Sequence, residues 1–457
     1  MHSWTAERDS RLSLWLRVRE FAVPPSMIES ATARRSVGDW AGACAAAGVD
    51  VDLNLRSAAR VHGQALATQV RADLRCLAPD LLRWHLPRIA PDGLLRPGLT
   101  VSLARYRSAA EDGSGRLHLV ARTPPAWADA GQRISLALWD GSGSRAGPCR
   151  DPHPRPNRRF RFDLHRHLWD ARRSGELRGR SAADQLPTGG GPDPILDPPG
   201  LWPPVPGCAV DRWAAEAGIL LRAERAAGRA VAVRLATRHQ LVLHLAADTM
   251  EVSAVAAGGR AAALPMLPDA ATWVPPDLEL LRAGLIDADR LHPLVATALV
   301  PDRPLIGARR TPDRAGSTRI VECRGARHRI GPVDGVLVPL DHDPAEIRRE
   351  ELLAGLTGTP VPCLQEIDRT HRRPECLVDV RARLDHGDTA GALAAVEALL
   401  GPGALLRNGA LREELETAAL RQISYGLFRA GLAGFGPLPT APHRHSGDRA
   451  RRRHAIR

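Results

Sequence analysis

With 457 residues, 44% of them hydrophobic and 25% charged, the chain is long enough to bury two separate cores and has an ordinary globular composition. All 63 basic residues are arginine. No side-chain amine is therefore present to form a Schiff base, to hold phosphates in a P-loop or to fill the kinase lysine position, so pyridoxal enzymes, typical P-loop NTPases and protein kinases are disfavoured. The same usage, with abundant Ala, Gly and Pro, is that of a high-GC, actinobacterial type of genome.

Residues 26–47 predict a helical hairpin broken at Gly38, with Asp39 placed to cap its second helix. A short extended run follows at Val49 to Leu55, then a long helical stretch from Ser57 to Leu86 divided at Pro79. Leu99–Tyr106, Arg116–Arg122 and Arg133–Trp139 alternate in hydropathy and predict a three-stranded meander. Residues 159–164 also alternate and predict a fourth strand passing into a helix over 165–173.

Beyond the middle of the chain, a helix is expected near Val210–Ala227, followed by strands at 231–235, 240–245 and 251–255 and by two short helices at 278–283 and 287–299. A second small sheet is expected from 319–323, 328–330 and 336–340. Asp343, Pro344 and Glu346 then stand as N-cap, first-turn proline and capping-box acid of a helix reaching Leu356. Helices near 377–384, 389–400 and 411–427 close the chain. Gly38–Ala47 (GDWAGACAAA) and Gly387–Val396 (GDTAGALAAV) match at seven of ten positions. Each Gly-Asp turn between Ala-rich helices resembles a single tetratricopeptide-type hairpin, although two such units do not make a solenoid.

The formal net charge of +12 is local. Residues 150–180 hold ten arginines against four acids, and the tail from His443 holds six against one. Between block and tail, residues 181–207 contain eight prolines and five glycines, the composition of a linker. The expected architecture is α+β in two domains, each with small, mostly antiparallel sheets and flanking helices, and with helical hairpins near both termini. The segments are 1–180, a linker at 181–207, 208–440 and a basic tail at 441–457.

Seven scattered cysteines without a C-x-x-C motif indicate a reducing compartment, with neither a zinc ribbon nor a disulfide framework. No apolar run is long enough to span a bilayer, so a cytoplasmic protein without membrane contact is expected. Asp163, His165, His167 and Asp170 are the candidate metal ligands of a divalent-ion hydrolase, three of them falling on one face if the segment is helical. Asp341, His342, Asp343, Glu346 and Glu350 form a second polar cluster, which the helix-capping pattern explains, and Asp368 and His371 are placed in a loop.

No nucleophile elbow, dinucleotide fingerprint or H-E-x-x-H occurs, and no cofactor is expected. The resulting expectation is a non-catalytic scaffold or adaptor. Its contact surface would be Arg155, Arg158, Arg159, Arg161, Arg166, Arg172 and Arg173, binding the acidic surface of a partner protein through bidentate guanidinium contacts. The alternative is weak nucleic-acid binding through the same block and the tail.

Overall fold

A computed structural model describes residues 2–107, 116–128, 132–141, 154–181, 183, 207–236, 239–245, 250–255, 263–301, 319–323 and 325–432. The fold is α+β, and the described residues fall into two compact units. The first takes residues 2–126 and 133–301, and the second takes residues 127–132 and 319–432. The sequence placed a division at 181–207, but the residues flanking that stretch share the first unit. Within it, Asp269 N donates to Arg159 O at 2.9 Å and Arg180 Nη2 to Glu216 Oε2 at 2.6 Å, both across that stretch. Most of the Pro/Gly-rich segment and the whole tail from 441 lie outside the described residues.

The first unit opens with α1 (His2–Arg17), α2 (Pro25–Ser36), α3 (Trp40–Ala46) and the short β1 (Val49–Val51). The expected long helix is three helices: α4 (Leu55–His62), α5 (Gln64–Cys76) and α6 (Pro79–His85). The break between α4 and α5 is Gly63, whose φ of 92° lies outside helical space. After the two-residue strands β2 (Arg88–Ile89) and β3 (Leu94–Leu95) come β4 (Thr100–Arg107), β5 (Arg116–Arg122) and β6 (Ile134–Trp139). These three form the expected meander, and β1 adds to it in parallel, giving the order β1-β6-β5-β4.

Alternation puts Val101, Leu103, Leu117, Leu119, Ile134 and Leu136 in one core with Leu66, Val70 and Leu74, which recur every four residues on α5. The unit continues through α7 (Glu176–Arg180), α8 (Val210–Glu224), the antiparallel sheet β7 (Ala230–Arg234), β8 (Gln240–Leu245) and β9 (Met250–Val255), and then α9 (Asp269–Thr272), α10 (Pro276–Arg282) and α11 (Pro293–Leu299).

The second unit has an antiparallel sheet of β10 (Arg319–Cys323), β11 (Ala326–Val333) and β12 (Val336–Pro339), followed by five helices. These are α12 (Pro344–Thr357), α13 (Pro362–Arg372), α14 (Leu377–His386), α15 (Thr389–Leu400) and α16 (Ala410–Arg429). Its core joins Ile330 and Leu337 of the sheet to Ile367, Val380, Leu384, Val396, Leu400 and Leu411 of the helices. No described helix is long and apolar enough to cross a membrane.

Candidate functional site

The arginine block makes neither the fourth strand nor the helix expected of it. Isolated bridges join Ser102 to Arg161 (parallel) and Leu77 to Asp170 (antiparallel), and the described residues before α7 are otherwise turns and irregular chain around a short 3-10 segment at Arg166–Leu168. Backbone bonds from Asn157 N to Thr100 O (2.9 Å) and from Asp163 N to Ser102 O (2.8 Å) hold the segment against β4. Phe160, Phe162, Leu168 and Trp169 are drawn into the core, with Trp169 Nε1 donating to Phe162 O at 3.1 Å. Burying these aromatics carries the neighbouring guanidinium groups inward, where they need partners.

Acids of the same unit supply those partners. Arg159 makes a two-pronged pair with Asp269 at 3.0 and 2.7 Å. Arg161 grips Asp163 at 2.8 and 2.9 Å and also bonds Glu224. Arg166 bridges Asp73 and Asp170, and Arg172 reaches the same two carboxylates at 3.2 Å each. Arg180 Nη2 lies 2.6 Å from Glu216 Oε2. Burial acts against ionisation of Asp170, but hydrogen bonds from Arg172 and Arg166 outweigh it and hold the carboxyl below its ordinary range.

Among the seven arginines proposed as a contact surface, Arg159, Arg161 and Arg166 are therefore spent on internal pairs. Arg172, although exposed, is shared between Asp73 and Asp170, and Arg173 pairs with Glu176 at 3.3 Å. Arg155 and Arg158 are exposed and have no ion-pair partner among the described residues. The block's excess charge is thus largely balanced by distant acids, and a row of free forks does not form.

The proposed metal ligands do not converge either. Without a helix they share no face: Asp163 is taken by Arg161 and Arg105, and Asp170 by Arg166 and Arg172. His165 Nε2 lies 3.2 Å from Glu216 Oε2, an ion-pair distance without the direction of a good hydrogen bond, while its Nδ1 faces Arg161 O at 3.0 Å. His167 is buried, and burial, reinforced by His165 and Arg180, pushes its imidazolium form well below the usual pKa. Glu216 is held low, at about 2, because His165 and Arg180 more than offset the cost of its burial.

The side chains that do converge are in the second unit. Cys323, His342 and Cys363 place their ligand atoms within 4.8 Å of one another, the one such group among the described residues. Cys323 ends β10 opposite Ala326, His342 follows β12, and Cys363 sits in the first turn of α13. Both cysteines are buried, and Cys363 Sγ lies 3.7 Å from His342 Nε2. Sequence reasoning marked His342 only as part of an acidic cluster and left the cysteines unassigned. It also placed Asp368 and His371 in a loop, whereas they lie on α13, where His371 is buried.

No protein-family model matches the chain, and neither a curated protein nor a solved structure shows significant similarity to it.

Proposed function

We propose that the protein is a non-catalytic adaptor that docks an acidic partner protein on α12 of its second unit. The observation that carries this reading is α12 itself, a 14-residue helix with no buried residue. Leu352, Leu353 and Leu356 are 67%, 49% and 86% exposed. Helices in proteins draw most of their stability from packing an apolar face, and contiguous exposed leucines mark an interaction surface. Here the ends are specified instead: Asp343 accepts from Ala345 N at 3.0 Å, and Gly358 closes the helix in the left-handed conformation at φ 71°.

Leu352 and Leu356 are four residues apart and so share a face. Arg348 and Arg349 lie one turn earlier, exposed and without an ion-pair partner among the described residues. A complementary surface is an apolar groove rimmed by carboxylates. The acidic partner expected from the sequence is retained, and its contact moves from the internally paired arginine block to α12.

The test is photo-crosslinking from position 356 in cells that make the protein, followed by titration of the identified partner against purified chains. Leu352→Ser with Leu356→Ser should weaken binding by roughly tenfold or more. Arg348→Glu with Arg349→Glu should weaken it and flatten its salt dependence. Arg155→Glu with Arg158→Glu should leave it unchanged. A partner that binds the leucine variant as tightly as the native chain removes the reading.

A further inference from the structure

The geometry of Cys323, His342 and Cys363 points to a metal site: we infer that these residues bind one zinc-class divalent ion through two thiolate sulfurs and one imidazole nitrogen, with the fourth position left to an exchangeable ligand. The inference is independent of any role for α12. Zinc takes Zn–S of about 2.3 Å and Zn–N of about 2.0 Å in tetrahedral geometry, so a coordinated S···N edge is about 3.5 Å. The observed Cys363 Sγ to His342 Nε2 separation is 3.7 Å. Two thiolates with an imidazole select a borderline-soft ion over magnesium or calcium, which prefer oxygen.

The surroundings are arranged as a ligand shell requires. His342 turns Nε2 toward Cys363, while Nδ1 faces the Glu346 carboxylate at 3.8 Å. A carboxylate on the far nitrogen of a ligating histidine fixes its tautomer and raises its basicity. His328, in the middle of β11, stacks on His342 with ring centroids 3.7 Å apart and planes 21° apart, which holds the imidazole in place. The Nδ1 of His328 is itself buried and unpartnered. Cys363 sits in the first turn of the 11-residue α13, so its backbone position is fixed by the helix start.

The three ligands also lie at a structurally useful place. Neither cysteine belongs to the apolar cluster of the second unit, whose core is small. An ion would tie the end of β10, the turn after β12 and the start of α13 together in a chain segment of 41 residues. Small cores are commonly stapled by such ions. Thiolate ligands bind deprotonated, so metal binding releases protons and affinity should rise with pH.

The full-length chain, stripped with chelator under reducing conditions and titrated anaerobically with Co²⁺, tests this directly. One equivalent should produce visible d–d bands of a tetrahedral site and a near-UV thiolate-to-metal charge-transfer band, both removed by Zn²⁺. Cys363→Ser and His342→Ala should lose the tetrahedral spectrum, Cys376→Ser should keep it, and Glu346→Gln should bind about tenfold or more weakly. Because a ligand variant could fail to fold, protection of Cys323 and Cys363 from alkylation by Zn²⁺ is measured on the native chain as well. The absence of a Co²⁺ spectrum, an unchanged spectrum in Cys363→Ser, or a Cys323–Cys363 disulfide in protein purified without oxidant would each overturn the site.

Discussion

The two units solve the same problem, a surplus of arginine, in different ways. In the first, charge goes inside: Arg19, Arg83 and Arg161 are buried, as are Asp80, Asp170, Glu216 and Asp277. In the second, pairs such as Arg372–Asp368 and Arg412–Glu416 run one helical turn along the surface. Exposed pairs contribute little because water and salt screen them. Buried pairs need not add net stability either, but they make the fold intolerant of losing one partner. The first unit is therefore electrostatically brittle and the second forgiving.

The largest expected effect follows from Asp277. Its carboxylate accepts from Arg19 Nη2 at 2.6 Å and from Trp84 Nε1 at 2.7 Å, with Arg19 and Asp277 almost wholly buried. Asp277→Ala strands a cation whose protonation burial already opposes, and should cost about 3–5 kcal/mol by urea unfolding. An apolar pair, Arg19→Met with Asp277→Leu, should recover most of that loss. If the single variant unfolds like the native chain, the brittle reading of the first unit fails.

Acid should separate the units next. His167 is neutral in the folded unit because its pKa is depressed, so the unfolded chain takes up its proton first as pH falls below about 6.5. Its contribution is complete above that value and declines as pH drops. Glu216, lowered to about 2, adds stability that is present above its unfolded value near 4.5 and is lost between there and about 2. His371 of the second unit is also depressed, by burial and then by Arg407, but among the described residues of that unit no comparably buried carboxylate accompanies it. Hydrogen exchange should show the amide of Leu119 in β5 losing protection at higher pH than that of Val380 in α14. The reverse order would contradict the comparison.

How much of this was legible follows from how local each signal was. Asp343-Pro344, the Gly-Asp turns and the alternation of β4 to β6 are decided within a few residues, and all were read correctly. Helix α13 was missed because Pro362 and Pro374 looked like loop markers. Pro362 instead occupies the first turn, where a missing N–H costs nothing, and Cys363, Ile367, Thr370 and His371 form its buried stripe. The arginine block showed its sign but not its destination, since Asp73, Glu216, Glu224 and Asp269 lie far away in the chain. Cys323 and Cys363 are 40 residues apart, and a hairpin and a helix start must both form before they meet.

The smallest expected effect sharpens the comparison best, because it uses one motif present in both units. In the α2–α3 turn, Gly38 has φ 81°, Asp39 accepts from Gly42 N at 2.8 Å, and Arg34 Nη1 reaches Asp39 Oδ2 at 2.9 Å. In the α14–α15 turn, Gly387 has φ 85°, Asp388 accepts from Gly391 N at 2.9 Å, and Arg383 Nη1 reaches Asp388 Oδ2 at 2.8 Å. The repeated ten residues thus build the same turn twice. A Cβ at Gly42 or Gly391 would lie 2.0 or 2.1 Å from the capping carboxylate, so each glycine lets the cap approach. The settings differ in exposure: the Asp39 side chain is 41% exposed and that of Asp388 11%. Asp388→Ala should therefore cost about 1 kcal/mol, the ordinary worth of an aspartate cap. Asp39→Ala should lower the melting temperature less, and only its effect should shrink markedly in high salt, because its arginine partner is open to screening. Equal losses with equal salt dependence would mean that the turn, and not its setting, decides the cost.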